Sequence, residues 1–192
     1  MFEAISGLSA AFGLSGSAGL NAYIPLLLVA LAARFPMSDP LVKLQAPFDL
    51  LGSWWAIGLI AVLLVVEIVA DKIPAVDTVN DTIQTFIRPA AGAILFAGSA
   101  NVITDVHPIL ALGSGLLVAG GVHATKMAAR PVVTVTTGGV GNPIVSTLED
   151  IVAFVVSLLA ILLPIIAALL LLSFLIIVIY SVRRWRRRRM MV

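Results

Sequence analysis

The chain has 192 residues, of which 60% are hydrophobic and only 11% are charged, and its mean hydropathy is +1.12. A soluble domain of this size needs more polar surface, so the composition excludes an ordinary soluble protein and predicts an all-α polytopic membrane protein. The chain has no cysteine, which excludes disulfides, thiolate metal sites and cysteine nucleophiles. The net charge of +2 is uneven, because six of the twelve basic residues lie in VRRWRRRR near the C-terminus.

The first third of the chain predicts short apolar helices on either side of a glycine-rich break. Residues 3–14 form an apolar helix that is too short to span a bilayer, and MFEAISGLSAAFGL has no basic segment typical of a signal peptide. The segment GLSGSAG then leads into LNAYIPLLLVALAARF. A polar loop follows to about residue 52. Trp54 and Trp55 then open a span that ends near residues 72–74, as an interfacial aromatic belt predicts.

Residues 76–88 have the pattern of an amphipathic helix, with apolar side chains recurring at helical spacing. The opposite face is polar and consists of Asp77, Asp81, Gln84 and Arg88. The pattern predicts a helix that continues after Pro89 into AAGAILFAGSA. Its polar face either lies beside the lipid headgroups or lines a cavity.

The second half of the chain contains HPILALGSGLLVAGGVHATKMAARPVV, a polar TVTTGGVGNP segment, and about 40 nearly unbroken apolar residues. That run would be roughly 60 Å long as one helix, twice the hydrocarbon thickness, so Pro164 is predicted to divide it into two spans. About six spanning helices are expected, together with short Gly-broken or re-entrant helices. The expected organisation is a single transmembrane domain (1–182), with internal repeats at 3–104 and 106–182, and a basic cytoplasmic tail (183–192).

The repeat rests on matched residues in the two halves. A shift of 106 residues pairs Pro25 with Pro131, and a shift of 90 pairs Pro74 with Pro164. If each repeat contains three spans, an odd number, the second repeat lies in the membrane in the opposite orientation to the first. With re-entrant hairpins at the Gly-broken segments, each repeat has two spans and the copies are parallel. We favour the inverted arrangement by analogy with transporter folds. The positive-inside rule then puts both termini in the cytoplasm. The expected location is a plasma or inner membrane.

Three segments in order carry a family resemblance. GSAGLNAYIPLLLVALAARF, followed by VVEIVADKIPAVDTVND and IRPAAGAILF, resembles the uncharacterised membrane-protein family catalogued as domain of unknown function 4126. The resemblance covers about residues 5–164 and leaves out the arginine tail. It supports the membrane class and implies no activity, cofactor or catalytic residue.

The main candidates for ion binding are Glu67 and Asp71, which are one helical turn apart at the end of a predicted span. An acidic residue at the bilayer centre costs roughly 2.5–3.5 kcal/mol, so two there need protonation, a basic partner or water. Neighbouring carboxylates also hinder each other's ionisation, so that one can exchange protons near neutral pH, as in a proton- or cation-coupled transporter. Alternatively, Asp71 lies at the interface with Lys72, and only Glu67 is buried and paired. The candidate charge partners are Lys72, Arg88, Lys126 and Arg130.

One substitution follows from that interpretation. Glu67→Gln is expected to leave the protein inserted and folded, because it removes a charge that is costly in the membrane, and to abolish pH-dependent flux.

The Gly-rich segments GLSGSAGLN and AGGVHAT are predicted breaks between helices. Broken backbone at membrane depth survives only when it is buried in protein or lines water. Free N–H groups at the new helix starts can bind an anion or a substrate carboxylate. Close helix packing through small residues is the alternative. The candidate residues here are Gly19, Asn21, Gly121 and His123.

These candidates have separate expected roles. Asn21 either caps the second helix or contacts a ligand, and His123 can relay protons. The two breaks are expected to meet near the middle of the membrane. Bulky residues at Gly19 or Gly121 should therefore impair function more than the same change at Gly58.

The arginine tail is mainly a topology determinant, and it also attracts anionic lipid headgroups at about 1 kcal/mol per basic residue. Its residues are Arg183, Arg184, Arg186, Arg187, Arg188 and Arg189. No zinc-binding spacing, P-loop, catalytic triad or dinucleotide fingerprint occurs, so neither an enzyme, a metal, a cofactor nor nucleic acid is expected.

The leading functional hypothesis is a small transporter or channel-like permease for an ion or small solute. The alternative is a non-transporting membrane scaffold or lipid-organising protein whose buried charges are structural pairs. The expected partners are membrane lipids and the ion or solute, and a homo-oligomer is left open.

Overall fold

The computed structural model describes residues 2–35, 44, 46–100 and 107–189, and within these ranges it leaves out the side chains of residues 2, 3, 74, 75, 77, 78, 100 and 185–189. The described part is all-helical, as the composition predicts. Its elements are α1 (Phe2–Ala18), α2 (Tyr23–Arg34), a 3-10 helix (Phe48–Gly52), α3 (Trp54–Ala70), α4 (Pro74–Ala100), α5 (Pro108–Thr137), α6 (Asn142–Leu162) and α7 (Pro164–Arg189).

Prolines and helix caps set several of these boundaries. Pro164 begins α7 two residues after α6 ends, which confirms the predicted division of the apolar run. Pro89 stays inside a continuous α4, also as predicted. Ser53 caps α3 by accepting a hydrogen bond from the Ala56 N–H at 3.2 Å. Gly138, with φ of 61°, ends α5 in the left-handed conformation that favours glycine.

Three described helices are long and apolar enough to cross a bilayer: α5, α6 and the first 21 residues of α7. They identify an integral membrane protein. Apolar helices α2 and α3 have 12 and 17 residues, or about 18 and 25 Å. The expected count of about six spans is therefore not confirmed.

Helix α1 runs antiparallel to α4. The ring of Phe12 lies edge-on to that of Phe96 with centroids 5.0 Å apart, and one turn further on a Cβ at Gly92 would lie 3.5 Å from the Ser15 carbonyl. The end of α1 therefore approaches the first half of α4.

Helix α2 returns in the opposite direction. Tyr23, at its start, interacts with Gln84 in the first half of α4. Arg34, at its end, lies with its guanidinium 5.0 Å from the ring centroid of Trp54, the first residue of α3. Helices α1 and α2 thus form a re-entrant hairpin, which enters and leaves the bundle at the same end.

The bundle has two distinguishable ends. The tail end carries the α3–α4 turn (residues 71–73), the α5–α6 turn (138–141) and the end of α7; the hairpin end carries the start of α1 and the end of α2. Helix α7 is parallel to α1, because a Cβ at Gly13 would lie 2.9 Å from the Ala167 Cβ and one at Gly16 would lie 2.8 Å from Leu171. The two ends of the described chain therefore lie at opposite ends of the bundle. This arrangement differs from the one expected from an even number of spans, in which both termini share one side, and the side of the membrane that each terminus faces stays a prediction.

The helix directions bear on the internal repeat. Helices α3 and α4 run opposite to α6 and α7, their counterparts in the second half, as an inverted copy requires. The first elements differ, because α1 and α2 form a hairpin whereas α5 is continuous. The repeat itself stays a prediction.

Small residues bring α4 and α5 into close contact towards the hairpin end. A Cβ at Gly92 would overlap the Ala119 side chain and lie 2.8 Å from the Gly115 carbonyl oxygen. A Cβ at Gly115 would lie 2.6 Å from the Phe96 Cβ. In this half of the bundle, small residues therefore let the backbones of α4 and α5 pack in close contact, as is common for helices in membranes.

Candidate functional site

Polar and charged side chains from four helices (α3 to α6), from the α1–α2 turn and from the α3–α4 turn meet in the half of the bundle nearest the tail end. This charge cluster consists of Asn21, Glu67, Asp71, Lys72, Asn80, Asp81, Arg88, His123, Lys126, Arg130, Ser146, Glu149 and Asp150. Most of these side chains are buried, so the cluster is internal to the bundle.

The polar face of α4 points into the bundle. Asp81, Gln84 and Arg88 are buried, whereas Val79 and Phe86 on the other face are exposed. A bilayer reverses the arrangement of a soluble amphipathic helix, because hydrocarbon surrounds the apolar face. The headgroup-facing alternative for this face is therefore wrong for these three residues.

Glu67 is paired with Arg88, one of its predicted partners. The Arg88 Nη2 donates to Glu67 Oε1 at 2.9 Å, and the two side chains are 0% and 1% exposed. Arg88 Nη1 also lies 3.3 Å from Nδ1 of His123, whose Nε2 lies 3.1 Å from the Thr85 hydroxyl. Neutralising Glu67 would leave Arg88 buried without its counter-ion. Glu67→Gln is therefore expected to destabilise the protein, in contrast to the expectation from the sequence that the variant stays folded.

Lys126 and Arg130 have partners other than Glu67 and Asp71. Glu149 Oε2 lies 2.9 Å from Lys126 Nζ and 3.2 Å from Arg130 Nη2. Asp81 lies 3.9 Å from Lys126 and 3.5 Å from Arg130. The two cations of α5 thus connect α4 to α6.

Asp71 is held by neutral groups. Asn80 Nδ2 donates to Asp71 Oδ1 at 2.8 Å, and the Ser146 hydroxyl donates to Oδ2 at 2.9 Å. Asp71 is 2% exposed, so it is buried in the protein although it lies in the turn at the tail end. Lys72 instead pairs with Asp150 at 3.7 Å and is 35% exposed.

Asn21 caps α2 from within the hairpin turn. Its Oδ1 accepts from the N–H groups of Tyr23 and Ile24 at 3.0 and 3.1 Å, and its Nδ2 donates to Asp150 at 3.0 Å. The capping role, one of the two alternatives for Asn21, is found. The first N–H groups of α2 are consequently not free for an anion. The turn also meets the cluster at Leu20, whose carbonyl accepts from Lys126 at 3.5 Å.

The two Gly-rich segments meet, but only the first is a break. A Cβ at Gly19 would lie 2.5 Å from the Ala119 carbonyl oxygen and 2.6 Å from the Val122 Cβ. The segment AGGVHAT lies inside continuous α5, so the second predicted break is wrong. Gly121 has open space around its Cβ position, as Gly58 does, and bulky residues there are expected to be tolerated.

Several contributors to the cluster were not singled out as site residues: Asn80, Ser146, Glu149 and Asp150. Their spacing carries a usable signal. Ser146 and Asp150 lie four residues apart on α6, as Asn80 and Gln84 do on α4, so each pair shares one helix face.

The structure adds little on the tail and on metals. Arg183 and Arg184 are exposed at the tail end, and the side chains of the other tail arginines, Arg186 to Arg189, lie outside the described residues. Headgroup binding by the tail stays a prediction. Within the described ranges, no group of three or more His, Asp or Glu side chains could hold a metal ion.

Comparison with known proteins gives one match. No curated protein and no solved structure matches the chain. The family model described as domain of unknown function (DUF4126) matches residues 8–184, which confirms the resemblance seen in the sequence. The chain therefore belongs to the DUF4126 family of unknown function.

Proposed function

We propose that the protein is a small permease for an ion or small polar solute, and that the charge cluster lines its path. The observation that carries this proposal is the burial of paired charges from α3, α4, α5 and α6 beside a re-entrant hairpin. Intramembrane charges are costly, and in membrane proteins they commonly mark ion or substrate pathways. Broken helices at membrane depth accompany such sites in transporters.

The exposure of the cluster supports access from the tail end. Lys72 is 35% exposed and Asp150 15%, whereas Glu67 and Arg88 are almost fully buried. On the hairpin side of the cluster, glycine and alanine close the packing between α4 and α5. By the positive-inside rule, the arginine tail makes the tail end cytoplasmic, so the path would open to the cytoplasm.

The inverted repeat belongs to the same proposal. Its first elements would be the α1–α2 hairpin and α5, which touch at Gly19. Movement of one half against the other would then open the packing at the hairpin end, as alternating access requires.

A second candidate is a non-transporting membrane scaffold with structural ion pairs. The observation that favours it is the direct 2.9 Å contact between Glu67 and Arg88, which leaves neither charge exposed. Such pairs can be purely structural.

Reconstituted vesicles separate the two candidates. The probes are protons and Na⁺, each followed with an indicator trapped in the vesicles after a gradient is imposed. We expect flux above that of protein-free vesicles for the natural protein. We expect none for Glu67→Met/Arg88→Met, whose unbranched apolar residues remove both charges together and so leave the protein folded. Absence of flux of either ion in the natural, folded protein would favour the scaffold.

A further inference from the structure

We infer that Asp71, Asn80 and Ser146 form a binding site for a monovalent metal cation such as Na⁺. The coupling of this cation to transport rests on the proposed permease function, whereas its binding does not. The site joins the end of α3 to α4 and α6 at the tail end of the bundle.

Asp71 differs from the other carboxylates of the cluster in lacking a cation. Glu67 has Arg88, Asp81 and Glu149 have the α5 cations, and Asp150 has Lys72. No Lys or Arg nitrogen among the described residues lies within 4.0 Å of Asp71. A buried carboxylate with only neutral partners needs another positive charge.

The backbone increases that need. Asp71 is the C-cap residue of α3, where the helix dipole places about half a negative charge. Acidic side chains are unfavourable at this end of a helix and cations are favourable. Glu67, one helical turn earlier on α3, already has Arg88 as its counter-ion, so Arg88 does not neutralise Asp71. A cation at Asp71 would therefore neutralise both the side chain and the helix end.

The surrounding atoms suit a hard cation that prefers oxygen. Asp71 supplies two carboxylate oxygens, each accepting one hydrogen bond and retaining a further lone pair. Ser146 adds a hydroxyl oxygen. The nitrogen of the Asn80 amide faces Asp71, so Asn80 would bind the cation through its oxygen only after the amide turns over. Carboxylate, carbonyl and hydroxyl oxygens are typical ligands of hard metal cations. One carboxylate matches a single positive charge, which points to a monovalent ion.

The site also has a route for the ion. Lys72 and Asp150, which are partly exposed, lie next to it at the tail end. Asn80 is also partly exposed, whereas Ser146 is fully buried. A cation can thus reach Asp71 without passing the closely packed half.

Thermal unfolding of the purified protein in detergent tests the site. Na⁺ is titrated against choline at constant ionic strength. We expect the Tm of the natural protein to rise with Na⁺ and to saturate, because a ligand that binds only the folded state stabilises it. Asp71→Asn should give a Tm at least as high in choline and no response to Na⁺. Asp49→Asn, the same change at an exposed position, should keep the full response.

Ser146→Ala serves as a second variant that removes one oxygen ligand and keeps the carboxylate. It should shift the midpoint of the Na⁺ response at least several-fold to higher concentration. A response to Na⁺ in Asp71→Asn equal to that of the natural protein would overturn the site, and so would a natural protein whose Tm responds to pH but not to Na⁺. Saturable Na⁺ binding without flux of protons or Na⁺ in vesicles would uphold the site and favour the scaffold over an ion permease.

Discussion

The two halves of the bundle are held together by different forces. Towards the tail end, α3 to α6 are joined by ion pairs and hydrogen bonds, such as the 2.9 Å contact between Lys126 and Glu149. Towards the hairpin end, α4 and α5 meet through glycine and alanine, and side chains as small as a methyl group are excluded at Gly92. Close backbone packing tolerates little change in spacing, whereas a network of long charged side chains can exchange partners. The proposed ion site therefore falls in the half whose contacts can rearrange.

The largest expected effect is an all-or-none difference in labelling between the two ends. The natural chain has no cysteine, so single replacements can be labelled directly. Leu50→Cys lies in the 3-10 helix at the hairpin end, and Val140→Cys lies in the α5–α6 turn at the tail end; both positions are exposed. With a membrane-impermeant maleimide on intact cells, we expect label on Leu50→Cys alone. Labelling of both from one side would contradict the helix directions.

The next largest effect should come from breaking the Glu67–Arg88 pair. Arg88→Met leaves Glu67 buried without a counter-ion and is expected to destabilise the protein by about 3–5 kcal/mol. The double variant Glu67→Met/Arg88→Met should recover most of that loss. Chemical unfolding in detergent measures both. A double variant as unstable as the single one would show that packing, and not charge, explains the loss.

A smaller effect is expected in the closely packed half. Gly92→Ala should lower the free energy of unfolding by about 1–3 kcal/mol, because its methyl group overlaps Ala119. Gly113→Ala is the matched control on α5, where nothing lies within 4 Å of the added carbon. It should be neutral or stabilise the helix by up to about 1 kcal/mol. Equal losses for the two variants would argue against close packing of α4 and α5.

The smallest effect is expected at the edge of the charge cluster. The Lys72 side chain is 35% exposed, although its Nζ atom is shielded, and Nζ lies 3.7 Å from Asp150, too far for a hydrogen bond. Lys72→Met should therefore cost only about 0.2–1 kcal/mol, and less at high salt. Unfolding at two salt concentrations checks this. A larger loss that salt does not reduce would mean that this pair is shielded from water like the deeper ones.

The sequence predicts the membrane class, the division at Pro164 and the polar face of α4 because these depend on local patterns. Pro164 has no backbone N–H to donate to the preceding helical turn, so a helix tends to end before it. The spacing of Asp81, Gln84 and Arg88 puts these residues on one helix face in any environment. The inward direction of that face depends on the solvent. In hydrocarbon the polar side turns to the protein, which composition alone could have indicated.

The two glycine-rich segments show where local patterns fail. Both contain closely spaced glycines, but only GLSGSAGLN supplies Asn21, whose side chain replaces the missing backbone partners at a helix start. In AGGVHAT the possible capping hydroxyl of Thr125 instead donates to the Gly121 carbonyl at 2.9 Å, within the continuous helix. The helix continues there, which keeps its backbone groups paired in the membrane. The partners of Glu67 and Lys126 depend on helix arrangement, which spacing along one helix does not specify.

The re-entrant hairpin has a consequence for how the protein is made. Helix α1 is synthesised first, but many of its contacts are with helices made last: the Ser17 hydroxyl donates to the Ala153 carbonyl at 2.7 Å, across 136 residues. Gly13 and Gly16 contact α7 in the same way. Before α6 and α7 have entered the membrane, the hairpin can pack only against α3, α4 and α5. Packing of α1 is therefore completed last, and a chain truncated before α7 would leave one side of α1 uncovered.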